Sequence, residues 1–384
     1  MKNVVSTIPT IDVLNSSSRG VLSIVAIADI HFNKIDPKDQ YNILKEQYID
    51  KIKMMNTLDI IFIEGDVFDH KLMSNSDGVM YASMFMADVR EVAITKNATV
   101  VLLGGTKSHD YDQLKLFYHY INDPLFDIRI VEDIRFEIIK GSRVLCIPEL
   151  YGIPDYIYER YLHYSGVYDL AILHGTVEGS VYGNNAGESK LFTINDFSNC
   201  VGPILCGHIH SGGCFNSHIY YCGTPIRYQF GEEEPKGFLV LAYDLDSHYY
   251  VIGKEIIESF TYTTITLDEL VSSDPNEIVK YIDDIKNNGI DYIRVIFTNE
   301  VSREIMTLLN KYYRNKKDYT IVYNIDQKTK VLKDTMDKNK SLNKYDFIFD
   351  KTLDQYQILS KYINLNKGYE FITANKLKEV VLNN

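Results

Sequence analysis

Five short acid/histidine clusters punctuate this chain, and each directly follows an apolar, strand-like run. They are Asp29 and His31 in AIADIHF, Asp66 and Asp69 in IIFIEGDVFDH, and Ser108-His109-Asp110 after VVLLGG. His174-Gly175 then closes DLAILHG, and Gly207-His208-Ile209-His210 follows PILC. An ordered series of this kind constrains the fold to strands whose ends share one cleft. The runs themselves are short and continuously apolar, which fits a sheet covered on both faces. Strands are expected at Val21–Ala28, Ile60–Ile63, Thr99–Leu103, Val144–Ile147, Leu170–Leu173, Ile204–Cys206, Ile219–Cys222 and Phe238–Tyr243.

Between the first two runs, Ile43, Leu44, Tyr48, Ile49 and Ile52 recur at helical spacing within Gln40–Leu58. Strands alternating with helices predict an α/β layered domain over residues 21–250, after a polar lead-in at 1–20. The pattern then changes. Strands at Phe260–Leu267, Tyr292–Phe297 and Tyr319–Asn324, with helices at Asp274–Asn287 and Ser302–Tyr313, predict a smaller α+β domain over 256–345. Ser273-Asp274-Pro275 is the start signal of the first of these helices. Residues 346–384 read as a helical tail built from two amphipathic helices around an Asn-Lys-Gly turn, either docked or partner-binding.

A formal net charge of −12 over 384 residues excludes a protein that grips nucleic acid by global charge. A polyanionic substrate must then be met by local basic groups, bound cations or a partner. One stretch offers such groups: Lys311–Lys344 holds ten Lys/Arg against four Asp, a net of +6. It reads as a solvated face or as a phosphate-backbone contact surface. No apolar stretch approaches 18 residues, so membrane spanning is not expected. The five cysteines are odd in number and form no CxxC pair, which points to reduced thiols of a cytoplasmic protein. Cys206 and Cys214 flank Gly207–His210, but their spacing is wide for a zinc site. Thirty tyrosines and no tryptophan, with abundant Asn, Lys and Ile, fit an AT-rich genome such as a phage's.

Each cluster has a bland reading. Asp-x-His alone is usually structural, an acid at a helix start serves the dipole, and a histidine closing a strand is usually a satisfied core residue. Their ordered recurrence reverses those odds. Asp29 and His31 offer a carboxylate oxygen and an imidazole nitrogen, a set that suits Mn²⁺, Fe²⁺ or Zn²⁺. Asp66 follows a glycine that permits a tight turn, so its carboxylate can bridge two cations. His109 is the candidate general acid and Asp69 its orienting partner. His174, His208 and His210 are candidate imidazole ligands.

In this order the clusters resemble the calcineurin-like metallophosphoesterase superfamily, whose signature is Asp-x-His, Gly-Asp-x-x-Asp, Gly-Asn-His-Asp/Glu, a lone His and Gly-His-x-His. A second segment, Tyr221-Cys-Gly-Thr-Pro-Ile-Arg-Tyr-Gln-Phe-Gly-Glu232 running on to Pro235-Lys-Gly-Phe238, resembles the SbcD-type nucleases. The resemblance covers about residues 20–250. It implies a layered metallophosphoesterase β-sandwich flanked by helices, with a smaller α+β capping domain and a helical C-terminal tail.

It also implies two divalent ions, manganese foremost. Asp29, His31 and His210 would hold one, His174 and His208 the other, with Asp66 between them and His109 catalytic. The family's Asn is missing, since the chain reads Gly105-Thr106-Lys107-Ser108-His109-Asp110. Alignment on His-Asp puts Ser108 in its place, and alignment on Gly puts Thr106 there. Ser108 is preferred because it stays adjacent to His109, and a hydroxyl ligand implies a weaker second ion. The implied activity is DNA exonuclease or endonuclease cleavage at DNA ends, with Arg227, Lys316 and Lys317 as DNA contacts. The implied partners are an SbcC-type SMC-like ATPase and a second copy of the chain, in a bacterial or phage-infected cytoplasm. A phosphomonoesterase or cyclic-nucleotide phosphodiesterase on the same core, and a non-catalytic scaffold, are the competing readings.

Overall fold

A computed structural model describes residues 20–110, 112–180, 189–232, 234–267, 274–298 and 301–323. The tail at 346–384, the lead-in before Gly20 and the basic stretch beyond residue 323 lie outside the described residues. The chain divides into two compact units, Met1–Thr264 with Lys286–Ile293, and Ile265–Ile285 with Arg294–Asn384.

The first unit is built on strands β1 Val21–Ile27, β2 Ile60–Glu64, β3 Thr99–Leu103, β4 Ile128–Val131, β5 Arg135–Ile139, β6 Ser142–Ile147 and β7 Leu170–His174. They continue as β8 Thr176–Val177, β9 Leu191–Phe192, β10 Ile204–Gly207, β11 Gly213–Cys214, β12 Ile219–Tyr221, β13 Gly237–Asp244 and β14 Tyr250–Ile256. Two six-stranded mixed sheets result, ordered β14-β13-β1-β2-β3-β4 and β11-β12-β10-β7-β6-β5. In the first, β1 to β4 run parallel, and β13 pairs antiparallel with both β1 and β14. In the second, β12, β10, β7 and β6 run parallel, with β11 and β5 antiparallel at the edges.

Side chains alternate across a strand, so each sheet has two faces to bury. Ile24, Ala26, Phe62, Val101 and Leu103 of the first sheet share a cluster with Val144, Cys146, Ile172 and Leu205 of the second. The sheets therefore pack face to face. The opposite residues of the first sheet, such as Val25, Ile61 and Val100, pack with helical Leu44, Tyr48, Phe85 and Val89. Those of the second, such as Leu145, Ala171 and Cys206, pack with Tyr158, Leu162 and Phe197. The order of layers is helix, sheet, sheet, helix.

All eight expected strands of this region form. The helix expected in Gln40–Leu58 runs from Pro37 to Met54 through a π-helical turn at Lys45–Ile49. Asp36 caps it by accepting from the amides of Lys38 and Asp39, and Pro37 fits its first position. The edge strands β5 and β14 and the helix Asp77–Lys96 are additions to the expected set. β14 carries the first sheet on to Ile256, beyond residue 250.

The second sheet region has strands β15 Tyr262–Leu267, β16 Tyr292–Phe297 and β17 Tyr319–Tyr323 in that spatial order, with helices Pro275–Lys286 and Arg303–Tyr313. Ser302 caps the latter through Ile305 N–H. Burial follows the two periods, at Ile293, Val295 and Phe297 on β16, at Ile278 and Ile282 on one helix, and at Ile305 and Leu309 on the other.

Candidate metal centre

Six parallel strands, three from each sheet, end at one edge of the sandwich and deliver its polar residues. Asp29 and His31 follow β1, Asp66 follows β2, and Thr106 and His109 follow β3. Glu149 follows β6, His174 closes β7, and His208 and His210 follow β10. Among the contacts that join the sheets here, two fix the strand ends directly. The His208 amide donates to both Asp29 carboxylate oxygens at 3.0 Å, and His174 Nδ1 bonds Glu64 O at 2.7 Å.

The backbone at these strand ends is unusual. Asp29, His31, Asp66 and His208 all have positive φ, at 52°, 49°, 50° and 88°. A side chain in this region costs about 1–3 kcal/mol where surroundings enforce it, and such residues gather at functional sites. The turns need glycine beside them. Gly65 has φ of 81°, and a Cβ there would collide with the His174 ring. A Cβ on Gly105 would collide with Asp66.

Among the described residues the side chains form four overlapping groups, Asp29–His31–His210, Glu149–His174–His208, His31–Asp69–His109 and Asp29–Asp66–His174, of which the first two share no residue. In the first, ligand atoms of Asp29, His31 and His210 lie within 4.8 Å of one another. His31 Nε2 and His210 Nε2 face each other at 3.0 Å, and only a proton or a cation between them reconciles their two lone pairs. In the second group, Glu149, His174 and His208 meet the same limit. Asp66 Oδ2 stands between the groups, 3.9 Å from His31 Nε2 and 3.4 Å from His174 Nε2. Buried His, Asp and Glu groups of this kind could hold metal ions.

The charges fit a cation. Burial lowers the His174 imidazole, but Asp66, Asp29 and Glu149 outweigh it and hold its pKa well above the usual value. Enough negative charge therefore converges on this ring to keep a positive charge in a buried place. Burial raises Asp66 in turn, and His174, His31 and His109 outweigh it, leaving its carboxyl far below the usual range. Burial raises Asp29 to about 7, against the opposing pull of His174. Burial lowers His31 to about 3 and His210 to about 4, so both rings are neutral ligands near pH 7. His174 Nδ1, held by Glu64 O, leaves Nε2 for the centre, the arrangement in which a histidine ligand is oriented by its other nitrogen.

Three expectations need correction. Ser108, the preferred replacement for the family's Asn, is exposed on the turn Lys107–Asp110. Thr106 lies at the centre instead. Its amide donates to Asp66 Oδ1 at 2.6 Å, and its hydroxyl lies 3.0 Å from Asp66 Oδ2, 2.9 Å from Glu149 Oε2 and 3.4 Å from His174 Nε2. The turn begins directly at Gly104-Gly105, so the first hydroxyl after β3 is the one that reaches in. Asp69 does orient His109, but through its main-chain carbonyl, which receives His109 Nδ1. Its carboxylate pairs with Lys34 at 3.0 Å and with His70 Nδ1 at 3.0 Å.

The third correction concerns Glu149, which sequence reasoning missed. Its Oε2 lies 3.3 Å from His208 Nδ1 and 3.7 Å from His174 Nε2. Burial raises its carboxyl, and His208 and His174 overcome that and bring it to about 2. A cleft of about 240 Å³ opens here, lined by Lys107, Asp110, Asp112, Glu132, Glu149 and Tyr151. Four acids against one lysine make it hostile to a phosphate without cations.

Two residues of the Tyr221–Phe238 segment, Tyr228 and Lys236, lie beside the first group. Tyr228 lies edge-on to His31 at 6.2 Å between ring centres, and its hydroxyl bonds the carbonyl of Ile30. Lys236, fully buried, donates to His210 O at 2.9 Å and to Glu234 Oε1 at 2.6 Å. Arg227 is half-buried, and its amide donates to Ser259 Oγ at 3.1 Å.

In the second unit Lys316 and Lys317 are exposed, and Lys316 Nζ sits 4.0 Å from the centre of the Tyr312 ring. The five cysteines are free, and no cysteine joins a metal-holding group among the described residues. No helix among those residues is long and apolar enough to cross a membrane. No protein-family model matches the chain, and no curated protein matches it.

Proposed function

We propose that this chain is a two-metal phosphodiesterase of the metallophosphoesterase fold, acting as an SbcD-type nuclease on DNA ends together with an SMC-like ATPase. The observation that carries the reading is the pair of ligand groups, Asp29–His31–His210 and Glu149–His174–His208, with Asp66 between them. Two divalent cations, Mn²⁺ foremost, would supply Lewis-acid chemistry that neutralises the phosphate and makes water acidic enough to attack near pH 7. The protein's own residues do the rest. Asp29 and Asp66 bring charge into a buried cleft, and the strained turns that carry them fix their direction in advance of substrate. His109, with Nδ1 tied to the Asp69 carbonyl, presents Nε2. As a general acid it would pass a proton from Nε2 to the departing sugar oxygen.

DNA as the substrate rests on the resemblance of Tyr221–Phe238 and on the basic residues that begin at Lys311. The ATPase would add gripping surface that so acidic a chain lacks. The test is Mn²⁺-dependent cleavage of linear and hairpin duplex DNA, with and without the ATPase, beside a generic aryl phosphodiester. Cleavage of DNA stimulated by the ATPase supports the reading. Hydrolysis of the aryl ester alone assigns the site to small substrates, and loss of both activities leaves a scaffold.

A further inference from the structure

The residue that replaces the missing amide comes from the other sheet. We propose that Glu149 is the charged ligand of the second ion, with Thr106 and Tyr151 as its positioning residues. The assignment rests on the two-metal reading above. Glu149 belongs to none of the five clusters. It stands two residues beyond β6, where the chain leaves the second sheet beside His174. Its side chain is 4% exposed.

Each carboxylate oxygen has its own task. Oε1 accepts the Tyr151 hydroxyl at 2.8 Å. Oε2 is thereby turned toward His208 Nδ1 at 3.3 Å and His174 Nε2 at 3.7 Å. Thr106 Oγ1 lies between Oε2 at 2.9 Å and Asp66 Oδ2 at 3.0 Å. A hydroxyl has one hydrogen, so it satisfies only one of these oxygens at a time. The other keeps a lone pair that faces an imidazole, His208 for Glu149 Oε2 and His174 for Asp66 Oδ2, and a divalent cation bound among them would take that lone pair in place of an N–H. Thr106 lacks the charge to act alone, but it holds both carboxylates in register.

An amide at this position would leave the second ion with the shared charge of Asp66 alone. Glu149 gives it a charge of its own and a third carboxylate to the centre. The weaker second ion expected from a hydroxyl ligand is thereby reversed. Two carboxylates beside two imidazoles suit Mn²⁺, Fe²⁺ or Zn²⁺ here rather than Mg²⁺ or Ca²⁺.

The test is a Mn²⁺ titration of the full chain followed by electron paramagnetic resonance, which counts bound ions and detects a magnetically coupled pair. Wild type is expected to bind two ions and show the coupled spectrum. Glu149→Gln, nearly isosteric, should weaken the second ion by at least about tenfold and lose the coupled spectrum while the first ion stays. Ser108→Ala should change neither. Glu149→Asp keeps the charge and should retain the second ion better than Glu149→Gln; equal losses in both would mark a scaffold residue and overturn the assignment. A Glu149→Gln chain that binds two ions at wild-type affinity overturns the assignment alone. A wild-type chain that binds no Mn²⁺ overturns the two-metal reading and the assignment with it.

Discussion

The Nδ1 of His174 bonds the main-chain oxygen of Glu64 at 2.7 Å, tying the end of β7 in one sheet to the end of β2 in the other. That contact fixes which nitrogen of His174 faces Asp66 and Glu149. It also leaves no space for a side chain at Gly65, whose φ is 81°. Gly65→Ala is therefore expected to destabilise the protein by about 1–3 kcal/mol from backbone strain alone, with added loss as the His174 ring is displaced. Urea denaturation measures this, and an unchanged midpoint with unchanged m-value would remove the close approach from the account.

His109 has a different kind of role, since it lies beside the ligands but is needed only when the leaving oxygen departs. His109→Ala is expected to slow DNA cleavage by about 10²–10⁴-fold while the bound ion count stays at the wild-type value. Rates under single turnover, paired with metal analysis of the same sample, separate the two effects. Full cleavage by rigorously purified His109→Ala protein would exclude it as the general acid.

Asp29 gives the centre a pH dependence of known sign. Burial raises its carboxyl from 3.8 to about 7, so the folded chain holds a proton there that the unfolded chain has already lost. Its contribution to stability is present below 3.8 and is lost as pH rises through about 7. An ion must displace that proton. Apparent Mn²⁺ affinity is thus expected to fall by about tenfold or more per pH unit below about 7, and His174, whose proton is held well above the usual imidazole range, extends the rise to higher pH. Calorimetry in two buffers of different ionisation enthalpy should detect proton release at pH 6; affinity that does not change between pH 6 and 8 would contradict the role of Asp29.

Lys316 and Lys317 test the DNA surface of the second unit. Both are exposed, but Lys316 also lies 4.0 Å over Tyr312 and 5.1 Å from the Tyr319 ring centre. Charge reversal at both positions is expected to weaken DNA binding and to reduce the salt slope by about two. Loss of the Lys316–tyrosine contacts should cost only about 0.5–1 kcal/mol of stability. An unchanged salt slope in a folded double variant would mean that these lysines are merely solvated.

The sheets were legible because their strands are buried on both faces and read as unbroken apolar runs. β5 and β14 escaped because they lie at sheet edges, where Glu137, Lys254 and Glu255 interrupt the pattern. The helix Asp77–Lys96 escaped for the opposite reason. Met80 and Met84 are exposed while Phe85, Met86 and Val89 are buried, so its apolar residues mark no clean face. Asp29, His31, Asp66, His174, His208 and His210 could be found because each ends a strand in a short motif. Glu149 had the same kind of strand before it but no histidine or glycine beside it to draw attention. The choice between Ser108 and Thr106 turned on where the chain bends after β3, which spacing alone leaves open.

Metal analysis of the purified chain decides whether the centre holds a pair of ions. After Mn²⁺ loading and removal of free ion, two ions are expected per wild-type chain and none in Asp66→Ala, because that carboxylate stands between both groups. A wild-type chain that retains no ion, or an Asp66→Ala chain that keeps both, would contradict a paired centre.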